Sequence, residues 1–434
     1  MVRTCTAALL ACMVAMTPVF FAFVSSDESL DSPRSDGMNV QSRTVGSADV
    51  PEWRVSDNWI YDGYLDVSDF AASSGVSTNV QNLGGSLSRT VVDMYVTDLE
   101  GNNTLVYEVE SIGNYQSDGS IDLADQSGCL FVDMSTTEII RASDLATYTQ
   151  TVGIDVFFDP WCWALLRQTV GELTVVNTFN PPLENYDFPI SVGESWEMDY
   201  QQETEFSGVS NFGIPIPDDT NESNSTSWTA VSQGGSGAAY SGCYQSLNVS
   251  NYDSSGAENG FNWYCPEVKG EVKSSIVQAF GFIAVHELVS YQPVQTGKQI
   301  EIDVQYPISP TGIDLSAWIN VTDQGQPVPN QELQFRYESE QFFHNITTDS
   351  NGSYLITFDS GDNPDDTIGT DELGSHGLIA WIESEKAVGA ETLLIDSEVH
   401  EIDLGTRSAG VIVNRFRPPS EPNGQGQSAI LDPS

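Results

Sequence analysis

From Val50 onward, short runs of alternating apolar and polar residues follow one another, separated by Gly, Asn, Asp and Ser. Examples are "NWIYDGYLDV", "SLSRTVVDMYVTD", "TLVYEVESIG", "CLFVDMS" and "TEIIRAS". Alternation over about four to eight residues between such turn signals is typical of half-buried β-strands. The only short helix candidates are "DLATYTQTVG" and "DPWCWALLRQTV". The sequence therefore predicts a mainly β protein.

Two pairs of similar segments indicate an internal repeat. "WRVSDNWIYDGY" contains Trp59 and is similar to "ISVGESWEMDYQ", which contains Trp196, 137 residues later. "CLFVDMSTTEIIRAS" is similar to "FNWYCPEVKGEVKSS", with Glu138 and Glu271 aligned at a separation of 133 residues. Two matches at nearly one separation favour duplication of a domain-sized unit over chance similarity between β-rich segments.

The segment "FNWYCPEVKGEVKSS" also predicts a β-hairpin with its turn around Gly270. Neighbouring strand residues point to opposite faces, so Trp263 and Tyr264 cannot form one flat stacking surface for carbohydrate. Phe261, Trp263 and Cys265 share a face. We expect that face to pack into the core beside a disulfide.

Residues 297–404 have turn signals at short, regular intervals, as a β-sandwich does. "VTDQGQPV" (Val321–Val328) and "TDSNGSY" (Thr348–Tyr354) are the most specific segments. Together they resemble the strands and turns of bacterial Ig-like and carboxypeptidase-regulatory-like modules of surface proteins. The resemblance implies an Ig-like β-sandwich that acts as a non-catalytic spacer or adhesion domain.

A second resemblance rests on "YDFPISVGESW", a Cys-bearing strand, "WYCPEVKGEVKSS" and "HELVSY". In these segments the two β units are similar in style to the LolA/LolB-like lipid-carrier half-barrels. In that family the concave face of a curved antiparallel sheet holds an acyl chain. The resemblance therefore implies a lipid carrier, but it matches no residue that would identify the ligand.

The whole chain divides into six predicted segments. These are a signal peptide or membrane anchor (1–25), a flexible linker (26–47), two related antiparallel β-sheet units (48–160 and 161–296), the Ig-like β-sandwich (297–404) and a C-terminal tail (405–434). The first segment carries Arg3 and then an apolar run from Thr4 to Val24, the pattern of a secretory signal. A membrane span needs about 20 apolar residues, so this run also suits an N-terminal membrane tether.

The chain has 62 acidic and 15 basic residues and a net charge of −47. A surface with this much negative charge repels nucleic acid and anionic lipid headgroups. We therefore expect neither as a partner. Calcium binding is one interpretation of the charge, and adaptation to high salt or plain solubility is the other. The best calcium candidate is "DSGDNPDDTIGTDE", with Asp362, Asp365, Asp366 and Asp371 as ligands. A solvated acidic loop explains the same residues.

Cysteines and glycosylation sequons agree with export. An even number of cysteines beyond the N-terminal segment favours two disulfides, and three pairings are possible. We expect Cys243 with Cys265, which lie on flanking strand candidates, and by elimination Cys129 with Cys162. A thiolate metal site is the alternative, but no C-x-x-C spacing supports it. Seven N-x-Ser/Thr sequons occur, at Asn102, Asn221, Asn224, Asn248, Asn320, Asn345 and Asn351.

Catalytic motifs are missing from the sequence. "AVHELVS" has Ser290 where the second zinc histidine after His286 would stand in H-E-x-x-H. His344, His376 and His400 stand too far apart for a local ligand motif. A G-x-S-x-G elbow, a Walker loop and a G-x-G-x-x-G fingerprint are not found. Among so many acids, no carboxylate pair of the glycosidase kind stands out.

We therefore expect an exported binding or scaffold protein of the cell envelope without catalytic activity, at the cell surface or outside the cell. Its partner, an envelope protein, a glycan or a lipid, stays open. We expect no cofactor, except calcium if the acidic loop binds it. One alternative is a carrier of an apolar ligand, which requires an apolar cavity of about 300 Å³ or more. The other is a secreted hydrolase, which requires clustered carboxylates with raised pKa values.

Overall fold

A computed structural model describes residues 47–68, 78–99, 101–123, 126–164, 166–210, 216, 218–253, 255–277, 282–337, 344–358 and 373–396. Strands dominate these residues, and no helix of seven or more residues occurs among them. The predicted mainly β class is confirmed.

Fifteen strands lie between residues 47 and 292. They are β1 (Ser47–Ala48), β2 (Asn58–Asp66), β3 (Asn82–Leu99), β4 (Asn102–Ser117), β5 (Ile121–Leu123), β6 (Gln126–Arg141), β7 (Thr147–Asp159), β8 (Gln168–Leu183), β9 (Ile190–Ser191), β10 (Ser195–Ser210), β11 (Thr220–Gly234), β12 (Ser246–Asp253), β13 (Glu258–Cys265), β14 (Gly270–Val277) and β15 (Ile283–Gln292).

Twelve of these strands, all except β1, β5 and β9, form one closed antiparallel barrel. Each barrel strand pairs with the next one in chain order, and β15 pairs with β2 to close the ring. The short β1 and β9 pair with each other, and β5 pairs with β6. Closure leaves the barrel sheet without an unpaired edge, which an open sheet of the same strands would have on both sides.

The prediction of two separate sheet units is therefore wrong. Six barrel strands come from residues 58–183 and six from residues 195–292. The predicted boundary between residues 160 and 161 falls between β7 and β8, which pair with each other, for example at Val152 and Val175. Each half alone would expose the backbone of its first and last strands. In the barrel the last strand of each half pairs with the first strand of the other, so no edge stays exposed.

The residues just before β2 and just before β10 nevertheless form the same turn. Its third residue has a positive φ in both places, 82° at Ser56 and 89° at Gly193. Ser56 donates its N–H to Val91 O at 2.7 Å, and Gly193 donates its N–H to Ala230 O at 2.7 Å. The register of the strand shifts directly after Val91 in β3 and after Ala230 in β11. This repeated geometry supports the duplication that the sequence predicts.

The second predicted match does not follow this repeat. Glu138 lies on β6, the fourth barrel strand of the first half, whereas Glu271 lies on β14, the fifth of the second half. In the first half Val109 pairs with Glu138, and in the second half Val249 pairs with Asn262. Strand pairing therefore makes Asn262 the counterpart of Glu138.

The remaining nine strands form two facing sheets. They are β16 (Lys298–Val304), β17 (Ile308–Pro310), β18 (Leu315–Asp323), β19 (Gln326–Pro327), β20 (Glu332–Tyr337), β21 (His344–Thr347), β22 (Ser353–Phe358), β23 (Gly374–Ile382) and β24 (Ala387–Asp396). One sheet holds β16, β18, β19 and β22, and the other holds β17, β20, β21, β23 and β24. Ile302 and Ile319 from one sheet share a core with Phe335 and Leu393 from the other. The relation of this sandwich to Ig-like modules stays a prediction.

β23, β24 and the turn between them provide much of the contact between the sandwich and the barrel. Trp381 and Val388 belong to the same apolar cluster as the barrel core. Lys386 Nζ lies 2.7 Å from an Asp93 carboxylate oxygen and donates to Met94 O at 2.7 Å. Apolar burial and an ion pair therefore hold the sandwich to the β3 side of the barrel.

Both predicted disulfides, Cys129–Cys162 and Cys243–Cys265, are present. The predicted hairpin is also present, because β13 pairs with β14. Its turn lies before Gly270, in a short 3-10 segment that ends at Lys269 with a φ of 56°.

The predicted inward face of that hairpin is wrong. Asn262 and Tyr264 are 9% and 1% exposed and line the barrel interior, whereas Phe261 and Trp263 are only half-buried. Aromatic residues stand on both faces of β13, so hydrophobicity alone does not separate them. Cys265, at the end of the strand, is buried as predicted.

Several predictions lie outside the described residues. They concern the signal or anchor, almost all of the linker, the C-terminal tail and the calcium candidate at residues 359–372. Among the residues that are described, no helix has the length and apolar character needed to cross a membrane.

Candidate ligand-binding cavity in the barrel

The barrel interior contains a cavity of about 430 Å³ that is partly open to solvent. Every second residue of a barrel strand points inward, so strands of both halves line it. Side chains fill the interior of an eight-stranded barrel, and twelve strands make a wider one in which space remains. Aromatic rings form much of the wall, from Trp53, Trp59, Tyr61, Tyr115, Phe179, Tyr186, Tyr264 and Phe282.

Four side chains on successive strands form what we call the polar belt. They are Glu138 on β6, Gln150 on β7, Asn177 on β8 and Thr204 on β10, and each lies opposite the next in register. Gln150 Nε2 donates to Glu138 Oε1 at 3.1 Å, and Asn177 Nδ2 donates to Gln150 Oε1 at 3.4 Å. Thr204 Oγ1 donates to Asn177 Oδ1 at 2.9 Å. The belt holds the Glu138 carboxylate in one orientation.

Arg89 on β3 provides the positive charge of the cavity. Its Nη2 donates to Glu138 Oε2 at 3.2 Å, and its guanidinium lies 5.5 Å from the ring centroid of Trp53. Side chains of Arg89 and Glu138 keep 25% and 15% of their surface accessible, and both residues line the cavity. Ion pairs inside a barrel are screened less than those on the outer surface, so Arg89 and Glu138 attract each other more strongly here than an exposed pair would.

Glu271 on β14 brings a second carboxyl group to the same cavity. Burial raises the pKa of Glu271, while the Arg89 charge and a hydrogen bond from Tyr186 act to lower it. Tyr186 OH donates to Glu271 Oε1 at 2.9 Å. Glu271 therefore retains its proton to a higher pH than an exposed glutamate does.

Tyr115 and His286 meet across two glycines. Tyr115 OH and His286 Nε2 are 2.7 Å apart. A Cβ atom on Gly63 would lie 2.7 Å from the His286 ring, and one on Gly85 would lie 2.6 Å from the Tyr115 ring. Burial lowers the pKa of His286 to about 4, so the imidazole is neutral near pH 7. The two glycines make the space in which this hydrogen bond forms.

Three cavity residues carry a buried polar atom without a hydrogen-bond partner in the described part of the chain. These atoms are Arg89 Nε, Asn262 Oδ1 and Tyr264 OH. Such an atom costs about 1–3 kcal/mol when it stays unpaired, so proteins nearly always pair it with protein, water or ligand. All three atoms are almost inaccessible to solvent, the cavity included, so they lie within the packed wall and do not face the open space.

Sequence reasoning did not identify these residues as a group. The sequence does show charged residues within alternating strand segments, Arg89 in "SLSRTVV" and Glu138 in "TTEII". Their grouping cannot be predicted without the strand pairing, because the pairing is what brings residues of β3, β6 and β14 to one cavity. Glu287, next to His286 in "AVHELVS", pairs with Lys273 at 2.7 Å.

A second cavity, of about 270 Å³, lies between the barrel and the sandwich. Three acidic residues line it, Asp144, Glu184 and Asp187, together with His376 from β23. Burial and the neighbouring Asp144 raise the pKa of Glu184, against the effect of Arg141. Arg141 Nη2 lies 2.9 Å from Glu184 Oε1, so protein groups already neutralise part of this charge.

Among the described residues, one group of metal-type ligand atoms lies close together, formed by Cys243, Cys265 and Glu267. The two cysteines form a disulfide, so they offer no thiolate to a metal. The calcium candidates Asp362, Asp365, Asp366 and Asp371 all lie outside the described residues. His344 has no described side chain, and His400 lies outside the described residues.

The sequons differ in exposure. Asn221, Asn345 and Asn351 are exposed, and Asn224, Asn248 and Asn320 are half-buried; the side chain of Asn102 is outside the described part. The exposed ones have the access that a glycan needs, and glycosylation itself stays a prediction.

Comparison of the sequence with known protein families and with characterised proteins finds no match.

Proposed function

We propose that this chain is an exported binding protein of the cell envelope, without catalytic activity, that holds a small ligand inside its barrel. One observation carries the proposal. The barrel contains a cavity of about 430 Å³ whose wall combines aromatic rings with the charged side chains of Arg89 and Glu138. Ligand pockets in proteins measure about 300–1,000 Å³ and combine an apolar lining with a few placed polar groups, and this cavity has both features.

The charged residues in the cavity wall favour a binding protein over a barrel with a purely structural role. An ion pair in a protein core contributes little net stability, and apolar residues of similar size often replace it without loss. Arg89 and Glu138 therefore do not need to be present for the barrel to fold. Their position beside Trp53 and the polar belt suits recognition of a bound molecule.

The two disulfides support an oxidising location outside the cytoplasm. The predicted signal or anchor and the strong negative charge agree with that location. In this proposal the sandwich acts as a spacer that carries the barrel, in line with the resemblance to Ig-like surface modules. The apolar carrier of the LolA/LolB-like kind is less favoured, because a hydrocarbon chain would remove water from the Arg89 and Glu138 side chains without replacing its hydrogen bonds.

Native mass spectrometry of the protein purified from its own envelope tests the proposal. We expect a non-covalent adduct of small-molecule mass that disappears when the chain is denatured. A bare chain in the native spectrum would count against a resident ligand. The denatured mass also shows whether the N-terminal segment and any glycans are present.

A hydrolase is the second candidate, and the position of Glu271 favours it. Glu271 and Glu138 line one cavity, and burial raises the pKa of Glu271, as a general acid requires. Incubation with nitrophenyl glycosides and nitrophenyl esters checks this candidate. Release of nitrophenol that the variant Glu271→Gln abolishes would place the hydrolase first, and we expect no release.

A further inference from the structure

The loop between β7 and β8 displays three large apolar side chains to solvent. Trp161, Trp163 and Leu166 are 57%, 67% and 49% exposed. This loop belongs to "DPWCWALLRQTV", a helix candidate in the sequence, but its described residues form no helix. Single exposed apolar residues are common on protein surfaces, whereas a cluster of them marks a contact with a protein or a membrane.

Hydrogen bonds and a disulfide hold both tryptophans in their exposed positions. Asp159, at the end of β7, is fully buried. Its carboxylate accepts the N–H of Trp161 at 2.9 Å and the N–H of Trp163 at 3.0 Å. Cys162, between the two tryptophans, is bonded to Cys129 on β6. The fold itself therefore fixes the outward position of the two rings.

The backbone of the loop is strained at two residues that alternate with the tryptophans. Cys162 and Ala164 have φ values of 56° and 60°, in the left-handed region that favours glycine. A residue with a side chain keeps that conformation only when its surroundings enforce it, and such residues cluster at functional sites. The strained backbone and the exposed rings thus occur in the same few residues.

The loop lies at the end of the barrel away from the sandwich. Neighbouring antiparallel strands run in opposite directions, so successive loops lie at alternate ends of the barrel. The β6–β7 and β8–β10 loops line the second cavity, beside the sandwich, and the β7–β8 loop lies at the other end. Val209 and Val277, within the last two residues of β10 and β14, are exposed at that same end.

The side chains of the loop fit a lipid surface better than a glycan. A sugar site combines rings with polar side chains that bond the hydroxyl groups. From residue 160 to 167 the sequence is "PWCWALLR", in which only Arg167 and the indole N–H groups form strong hydrogen bonds. Arg167 already lies 3.4 Å from Asp133 and 4.0 Å from the ring centroid of Phe131. Indole rings suit the membrane interface, where the ring meets apolar chains and its N–H meets polar groups.

The size and charge of the loop narrow the partner further. A stable protein interface buries about 800 Å² on each partner, far more than three side chains on one loop provide. The segment from residue 160 to 167 has no acidic residue, so it can enter the headgroup region without burying a negative charge. A chain with a net charge of −47 is repelled by anionic lipid, which leaves lipid without net charge as the partner.

We propose that the β7–β8 loop docks the barrel on a bilayer of zwitterionic phospholipid, with Trp161, Trp163 and Leu166 inserted among the headgroups. This contact is separate from the predicted N-terminal tether and goes beyond the proposed function. It brings the end of the barrel that holds Val277, a residue of the cavity wall, to the membrane.

Tryptophan fluorescence of the full chain on vesicles of brominated phosphatidylcholine tests the proposal. Bromine atoms on the acyl chains quench only tryptophans that enter the bilayer. We expect quenching in the parent chain and loss of nearly all of it in the double variant Trp161→Ser with Trp163→Ser. Trp318, which is 38% exposed on β18 of the sandwich, provides the matched control. Trp318→Ser should leave the quenching unchanged, and vesicles of brominated phosphatidylglycerol should quench less at low salt.

Each contrary result overturns the proposal in a different way. If the parent shows no quenching, the loop does not enter a bilayer. Equal quenching in the parent and the double variant would assign membrane contact to another segment, such as the apolar N-terminal run. Stronger quenching by phosphatidylglycerol would reject zwitterionic lipid as the partner. Fluorescence that responds to maltohexaose and not to vesicles would make the loop a glycan site. None of these results depends on a ligand in the cavity, so the proposed function is tested separately.

Discussion

The two halves of the barrel share a framework and differ in what that framework carries. In the first half Trp59 on β2 lies opposite Arg89 on β3, and in the second half Trp196 on β10 lies opposite Trp228 on β11. Equivalent turns, with a positive φ at Ser56 and at Gly193, precede the two tryptophan strands. One position of the repeat thus holds a charged residue in one half and an aromatic residue in the other.

The surroundings of the two tryptophans, Trp59 and Trp196, also differ between the halves. Trp59 is 1% exposed, and its Nε1 donates to Val268 O at 2.7 Å. Trp196 is half-buried and stacks on Trp228 with 6.1 Å between ring centroids. Further along the register Glu138 in the first half corresponds to Asn262 in the second. The ion pair therefore belongs to the first half alone.

This difference teaches where function resides in a duplicated barrel. Turns, bulges and strand order fix the shape, and both halves keep them. Side chains that point into the cavity are free of that constraint, and there the halves differ. The residues proposed to bind a ligand are those at which the repeat is broken.

The largest expected effect comes from breaking the ion pair that distinguishes the first half. Arg89→Met leaves the Glu138 carboxylate enclosed without its cation, and we expect the free energy of unfolding to fall by about 3–5 kcal/mol. Urea unfolding followed by circular dichroism measures it. The double variant Arg89→Met with Glu138→Gln should recover most of the loss, since it removes the unpaired charge. A double variant no more stable than the single one would contradict this explanation.

A smaller effect on the free energy of unfolding depends on pH and arises from a residue on the last strand of the second half. By register Asn177 on β8 and His286 on β15 hold equivalent places in the two halves. The pKa of His286 falls from 6.5 to about 4 in the folded chain, so the unfolded chain binds the proton more readily. Stability is therefore complete above pH 6.5 and decreases as the pH falls toward 4, by at most about 3 kcal/mol.

The variant His286→Asn gives both halves the same residue at this place and should lose that part of the acid sensitivity. Urea unfolding of the parent and the variant between pH 7 and pH 4 compares the two slopes. An unchanged slope in the variant would assign the proton uptake to another group.

The smallest effect concerns the turn that the halves share. Ser56 adopts a positive φ that glycine accepts without strain, and Gly193 already occupies the equivalent place. We expect Ser56→Gly to raise the free energy of unfolding by about 0.5–1 kcal/mol and Gly193→Ser to lower it by about as much. Urea midpoints of the two variants measure the difference. Changes of the same sign in both would show that the turns are not equivalent.

Local features of this fold could be predicted from the sequence, and long-range ones could not. Alternation predicted the strands, and cysteine positions on neighbouring strand candidates predicted the Cys243–Cys265 bridge. Closure of the barrel depends on the pairing of Trp59 with Tyr291, and no local pattern encodes a contact at that separation. Two sheet units were expected because each half has its own strand pattern, and nothing in that pattern says that the edges of the halves meet.

The candidate site escaped sequence reasoning for a related reason. In a chain with 62 acidic residues, Glu138 and Glu271 do not stand out. On β13 the expectation that aromatic residues point inward selected Trp263, whereas the inward positions hold Asn262 and Tyr264. The rule fails there because the centre of this barrel is a cavity with polar groups, not a packed apolar core.

Pairing between β2 and β15 also determines the order in which the chain can fold. The first barrel strand is synthesised first and finds one of its two partners last, after residue 292 has emerged. Synthesis at about 5–20 residues per second makes that delay on the order of ten seconds or more. During this time β2 presents an open backbone edge that can pair with other chains. The nascent chain therefore needs shielding until β15 is made, and a chain that ends before β15 should aggregate rather than form a smaller barrel.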